Sequence, residues 1–240
     1  MSVFALVHGS MHGSWCWRDL IPELEARGHR AVGPDLPCED VSAGPEDYAE
    51  CVEAALDGSQ DVILVGHSRG GRTLPLLAAR RPARAMIFLC CVPTGIGEIS
   101  AEAFADMVTP EYREARTAQR ADGARRMQAD SARSVFYHDC PPEVAAWAAD
   151  SLRWQGERRL VEALPLKTWP DAPLQVILAR HDRAVRFEWA LREARRWLGG
   201  REPLLLDGDH SPFLSRPAEL AELLVGCANG NVVATSAPSR

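Results

Sequence analysis

Gly66-His67-Ser68-Arg69-Gly70 has the spacing G-x-S-x-G. It directly follows the apolar run Asp61–Val65 and precedes a helical pattern carrying Leu74, Leu77 and Ala78. In a strand–turn–helix setting the small residues let the chain double back and hold the serine exposed in a strained conformation. A plain glycine turn gives the same spacing, so the context carries the assignment. A serine hydroxyl is a weak nucleophile unless a base takes its proton, and the base needs a carboxylate to orient it. In this setting the chain order is serine, acid, histidine, with the partners in loops after later strands. Asp182 lies three residues beyond the apolar run Leu174–Ala179, and His210 lies in Asp207-Gly208-Asp209-His210, just past Pro203–Leu206. The end of the run Ala85–Val92 carries no carboxylate. Asp207 and Asp209 compete with Asp182, but adjoin His210 too closely in sequence to reach its far nitrogen. Helix capping is the alternative role for Asp182, and an ordinary loop position the alternative for His210. His8, His12, His29, His67, His138 and His181 are read as structural or exposed.

A serine nucleophile also needs donors aimed at the oxyanion. His8-Gly9-Ser10-Met11-His12-Gly13 follows the first apolar run, Val3–Val7. A glycine there lets the backbone turn and present an N–H to the reacting carbonyl. The first donor is assigned to the N–H of Ser10 and the second to that of Arg69, next to the nucleophile.

These loops require strands to hold them. Six runs read as strands: Val3–Val7, Arg30–Gly33, Asp61–Val65, Ala85–Val92, Leu174–Ala179 and Pro203–Leu206. They are apolar throughout rather than alternating, as in a parallel sheet covered on both faces. Helical patterns fall between them, at 15–27 (interrupted by Pro22), 45–57, 186–198 and 217–227. Pro75 is awkward for the helix after Ser68. The alternation predicts an α/β fold with a parallel sheet. Between Thr94 and Trp169 no strand is expected. Helical patterns at 100–107, 111–120 and 143–154 make that stretch a helical lid, with Phe104, Phe136, Tyr137, Trp147 and Trp154 offered to an apolar pocket. The expected organisation is a core of residues 1–93 and 170–228, a lid at 94–169 and a disordered tail at 229–240.

The chain resembles the α/β-hydrolase superfamily, in particular plant methylesterases, hydroxynitrile lyases and their small bacterial relatives. The resemblance rests on Leu6–Trp17, Val62–Gly71 and Gly208–Pro217. It implies Ser68, Asp182 and His210 as a triad, Ser10 and Arg69 as oxyanion donors, and a sheet of six strands, all parallel, lacking the two leading strands of the full fold. Hydroxynitrile lyases of this group carry threonine at the position of Gly9 and lysine at that of Ser211, so cyanohydrin cleavage is not expected. Ser68 also argues against relatives that use an aspartate nucleophile.

Composition sets the remaining bounds. The 240 residues are 46% hydrophobic and 25% charged, with a net charge of −6, an ordinary globular balance. Phosphate-driven nucleic-acid binding needs a basic face and is disfavoured. The longest apolar run is far too short to span a bilayer. Seven cysteines without C-x-x-C spacing are read as reduced thiols in a cytoplasmic protein. The expected function is hydrolysis of a carboxylic ester or thioester of a small apolar molecule through an acyl-enzyme, with no metal or organic cofactor, and homodimerisation is left open. The alternatives are a lyase or cyclase using the same three residues for elimination, and a non-catalytic ligand receptor.

Overall fold

A computed structural model describes residues 1–156 and 161–232. Six strands form one sheet: β1 (Val3–Val7), β2 (Arg30–Val32), β3 (Val62–His67), β4 (Ala85–Leu89), β7 (Leu174–Ala179) and β8 (Leu204–Leu206). Their order is β2-β1-β3-β4-β7-β8, and every pairing is parallel. The unbroken apolar runs have a direct cause. Ile63 and Val65 of β3 enter one hydrophobic cluster with Phe4, Leu6 and Ile87. Val62 and Leu64 enter a second, on the opposite face, with Ala5, Val7 and Met86. Both faces are therefore dry, and helices must cover each one. Helices α1 (Leu20–Ala26), α9 (Pro212–Ser215) and α10 (Pro217–Ala228) pack into the first cluster, and α2 (Pro45–Leu56), α3 (Leu74–Arg80) and α8 (Phe187–Trp197) into the second.

Several local elements differ from the sequence pattern. The first helical pattern divides into a short 3-10 turn at Ser14–Trp17 and α1, with Pro22 in the first turn of α1. There the missing N–H of proline costs nothing. The same reason dissolves the difficulty with Pro75. A 3-10 turn over Ser68–Thr73 precedes α3, which starts at Leu74, so Pro75 sits at the helix entrance.

The segment between β4 and β7 contains α4 (Ala101–Met107), α5 (Pro110–Glu114), α6 (Ala129–Val135) and α7 (Pro142–Asp150). It also contains strands, contrary to expectation. β5 (Thr117–Gln119) and β6 (Arg125–Met127) form an antiparallel hairpin, so the helical pattern at 111–120 ends at Glu114. Thr-Ala-Gln and Arg-Arg-Met carry no apolar run, and the pairing is anchored elsewhere. Arg125 and Gln155 exchange backbone hydrogen bonds of 2.9 Å in both directions. Met127, Val135, Phe136 and Ala148 of this segment pack into the same cluster as Phe4 and Leu6. The tail expected from 229 onward falls mostly on 233–240, outside the described residues. No helix among the described residues is long and apolar enough to cross a membrane.

A close backbone approach lies beneath the Ser68 turn. A Cβ on Gly70 would stand 2.4 Å from the carbonyl oxygen of Val7 and 2.5 Å from that of His8. Both are backbone atoms at the end of β1 and cannot swing aside. Gly70→Ala should therefore destabilise the protein by at least about 2 kcal/mol, a melting-temperature drop of roughly 4–8 °C for a chain of this size. Thermal unfolding of the variant checks this; an unchanged midpoint would mean that the turn relaxes freely.

Candidate active site

Ser68 follows the last residue of β3 and has φ +50°. A non-glycine residue in the left-handed region is strained, and such strain persists only where the surroundings enforce it. The carboxyl ends of β7 and β8 bring up the other two predicted residues. His210 Nδ1 lies 2.7 Å from Asp182 Oδ2, with the two side chains only 2% and 5% exposed. The carboxylate accepts, so Nδ1 donates and Nε2 carries the lone pair. The other oxygen of Asp182 accepts from the N–H groups of Ala184 (2.7 Å) and Val185 (2.9 Å). Asp182 thus does cap the turn that leads to α8, and orients His210 as well.

The competing carboxylates have other occupations. Asp207 is exposed and pairs with Arg180 at 3.0 Å. Asp209 is fully buried. It accepts from Ser211 N–H, Ser215 hydroxyl and Asp139 N–H at 2.9–3.0 Å, fixing the loop that carries His210. Burial pushes its carboxyl above the usual range.

Ser68, His210, Ser10 and Arg69 all line one cavity, about 940 Å³ of atom-free space including its mouth. Its walls are largely apolar, with Met107, Val108, Tyr112, Trp169, Val185 and Trp189 prominent. Of the five aromatic residues expected there, Phe104 and Phe136 line it. The other three do not. Tyr137 is buried, with its hydroxyl 3.0 Å from His12 Nε2. Trp147 packs on Trp15 under the Arg18 guanidinium, and Trp154 packs beneath Arg120 and Arg126. Aromatic type alone carries no information on direction, so these three could not be told from pocket residues in sequence.

Three histidines set aside in the sequence hold the loops together. His67 Nε2 donates to the carbonyl of His210 at 2.9 Å, clamping the histidine loop to the serine turn. His12 Nδ1 donates to the carbonyl of Ser10 at 2.8 Å, and its Nε2 accepts from Tyr137. His8 Nδ1 donates to the carbonyl of Gly9 at 3.0 Å, and its Nε2 accepts from Leu36 N–H at 3.1 Å. Gln155, fully buried, accepts from Met11 N–H at 3.2 Å and donates to Tyr48 hydroxyl at 2.9 Å. The segment carrying Ser10 is thereby fixed from several sides. Gly9 allows this packing: a Cβ there would stand 2.7 Å from His67 Nδ1.

His67, Cys90 and His210 bring potential ligand atoms within 4.8 Å of one another. Both imidazoles spend a nitrogen on protein partners, and burial pushes the Cys90 thiol well above its usual range, away from the thiolate a metal needs.

A strand-end serine, a histidine oriented by a buried aspartate and a backbone turn facing both describe a recognisable architecture. The model of the Alpha/beta hydrolase family matches residues 4–223. The chain belongs to this family. It is similar to Esterase PIR7B from Oryza sativa subsp. japonica, 25% identical over 261 residues, covering 94% of this chain and 95% of the relative. It is similar to Methylesterase 2 from Arabidopsis thaliana, 38% identical over 90 residues, 33% of this chain and 34% of the relative. Among solved structures, a polyneuridine aldehyde esterase variant superposes with a TM-score of 0.77 at 19% identity, covering 94% of this chain and 98% of the other, a likeness of fold.

The buried histidines give this hydrolase a pH signature. Burial lowers His8 to about 4 and His12 to about 3 from 6.5. Both rings are neutral in the folded protein at pH values where the unfolded chain binds a proton. Stability is therefore complete above about pH 6.5 and falls as pH drops towards 4. Each ring should cost on the order of 2 kcal/mol between pH 7 and pH 5, and the raised carboxyl of Asp209 offsets part of this. Urea unfolding at both pH values checks it; equal midpoints would show that the rings are not held neutral.

Proposed function

We propose that the chain hydrolyses a carboxylic ester of a small molecule with an apolar body, with Ser68 as nucleophile, His210 as base and Asp182 as the orienting acid. The observation that carries this reading is the 2.7 Å bond from His210 Nδ1 to Asp182. It commits one ring nitrogen and leaves Nε2 as the base, on a residue that lines the same cavity as Ser68. His210 Nε2 takes the hydroxyl proton as Ser68 adds to the ester carbonyl. The oxyanion is met by the N–H groups of Ser10 and Arg69. His210 returns the proton to the departing alkoxide, giving an alcohol and an acyl-enzyme. Water, deprotonated by His210, then releases the acid. Asp182 holds the tautomer and stabilises the imidazolium.

The names of the similar proteins, an esterase and a methylesterase, support ester cleavage over elimination. Gly9 weighs in the same direction. A threonine there, as in the hydroxynitrile lyases, would press its Cβ against His67. Residues 94–169 serve in this reading as the lid, because Phe104, Met107, Tyr112 and Phe136 supply cavity wall from that segment.

Ser68→Ala should reduce turnover of a p-nitrophenyl ester at least 10³-fold while leaving the circular dichroism spectrum intact. Asp182→Asn should cost on the order of 10⁴ in kcat, a magnitude taken from serine proteases. Steady-state kinetics measures both, and Ser68→Ala activity within tenfold of wild type would remove Ser68 from the role. For the lid, Phe104→Ala should shift the preferred acyl length by several-fold in kcat/KM, whereas Trp154→Ala should not. Equal losses on every ester from Phe104→Ala would mean that Phe104 only supports the fold.

A further inference from the structure

Two arginines, Arg69 and Arg72, line the cavity, and no aspartate or glutamate does among the described residues. Arg72 is 6% exposed. Its Nη1 donates to the Thr94 hydroxyl (3.0 Å) and the Gly95 carbonyl (2.8 Å), and its Nη2 to the carbonyls of Gly97 and Glu162. Four of its five donors are spent on neutral acceptors at the two ends of the lid segment. The fifth, on Nε, is buried without a partner among the described residues. Burial lowers this guanidinium to about 10, so it remains a cation at neutral pH. Arg72 is thus a fixed positive charge in the wall with no carboxylate bonded to it among the described residues.

Arg69 stands in contrast to it. It is half-buried and directly follows Ser68 in the chain, and no acid is paired with its side chain among the described residues, the neutral Tyr48 hydroxyl being near enough to feel its charge. Its guanidinium lies over the Phe104 ring at 5.5 Å. Elsewhere arginines find acids: Arg84 pairs with Asp61 at 3.0 Å, Arg153 with Glu39 at 3.1 Å and Arg195 with Glu202 at 2.9 Å. Two arginine cations in the wall, against the single carboxylate of Asp182 that is already spent on His210, give this apolar cavity a net positive charge. Such a site suits a ligand with an apolar body and an anionic group.

We propose that the ester cleaved here carries a carboxylate, as in a half-ester of a dicarboxylic acid, and that the Arg69 guanidinium pairs with that carboxylate while the ester carbonyl faces Ser68. Arg69 and Ser68 are adjacent, so the two ends of the substrate are a few carbons apart. The planar fork of arginine matches a carboxylate in two parallel hydrogen bonds. The proposal rests on the ester-hydrolase reading and adds the substrate class to it.

Mono-p-nitrophenyl glutarate and p-nitrophenyl 5-methylhexanoate have similar shape and differ in charge. Wild type should favour the glutarate by at least tenfold in kcat/KM, with the preference shrinking as salt rises. Arg69→Gln should cut the ratio of the two kcat/KM values at least tenfold, whatever it does to either alone, and Arg69→Lys should restore part of it. A wild type that prefers the neutral ester, or a ratio unmoved by Arg69→Gln, overturns the proposal while leaving the hydrolase reading standing. Calorimetric titration of monomethyl glutarate into Ser68→Ala provides a readout without turnover. Binding that weakens tenfold on adding Arg69→Gln supports pairing of the carboxylate with Arg69; a wild type that binds in this way but cleaves neither ester keeps the anion site and overturns the assignment of the ligand as a cleaved ester. No binding, or binding indifferent to Arg69, overturns the proposal.

Discussion

The left-handed turn at Ser68 is the constraint on which the rest of the site depends. With φ at +50°, the serine occupies a conformation that an L-residue adopts only under compulsion. The compulsion comes from close packing beneath the turn. A Cβ on Gly66 would meet the Cα of Gly71 at 2.6 Å, so the chain entering the turn and the chain leaving it are in contact there. Strand β3, central in the sheet and buried on both faces, supplies the rigid base. Hydrophobic burial along six strands thus holds one unfavourable backbone angle, and that angle puts a hydroxyl at the cavity.

The second layer of the design is a set of neutral imidazoles used as rigid connectors. His8 ties the first turn to Leu36, His12 ties it to Tyr137, and His67 ties the serine turn to the backbone of His210. In each, one ring nitrogen donates to a carbonyl and is thereby committed to one tautomer. Burial removes the charged form of all three. Asp209 plays the matching role on the histidine loop, fully buried and hydrogen-bonded on both oxygens. These groups hold the loops that carry Ser10, Ser68 and His210.

Much of this was legible in the sequence because it is written in short-range pattern. Unbroken apolar runs gave the parallel sheet, and the chain order of Ser68, Asp182 and His210 gave the loops that meet. Asp182 was separable from Asp207 and Asp209 by reach alone, and the structure puts its carboxylate on His210. What could not be read depends on tertiary direction. The hairpin of β5 and β6 is fixed by Gln155, some thirty residues beyond β6, and its own residues show no strand signal. Trp147 and Trp154 have the composition of pocket residues and pack elsewhere. Arg72 resembles any surface arginine in the sequence, yet it is buried and ties the backbone after β4 to Glu162.

The central claim is that one serine, activated through His210 and Asp182, is the covalent nucleophile. The most direct measurement is mass-spectrometric peptide mapping after reaction with a fluorophosphonate probe, in wild type and in His210→Ala. The account predicts a single adduct on the peptide containing Ser68, formed rapidly in wild type and at least 10³-fold more slowly in His210→Ala. An adduct on another residue, or labelling of Ser68 at the same rate without His210, would contradict it.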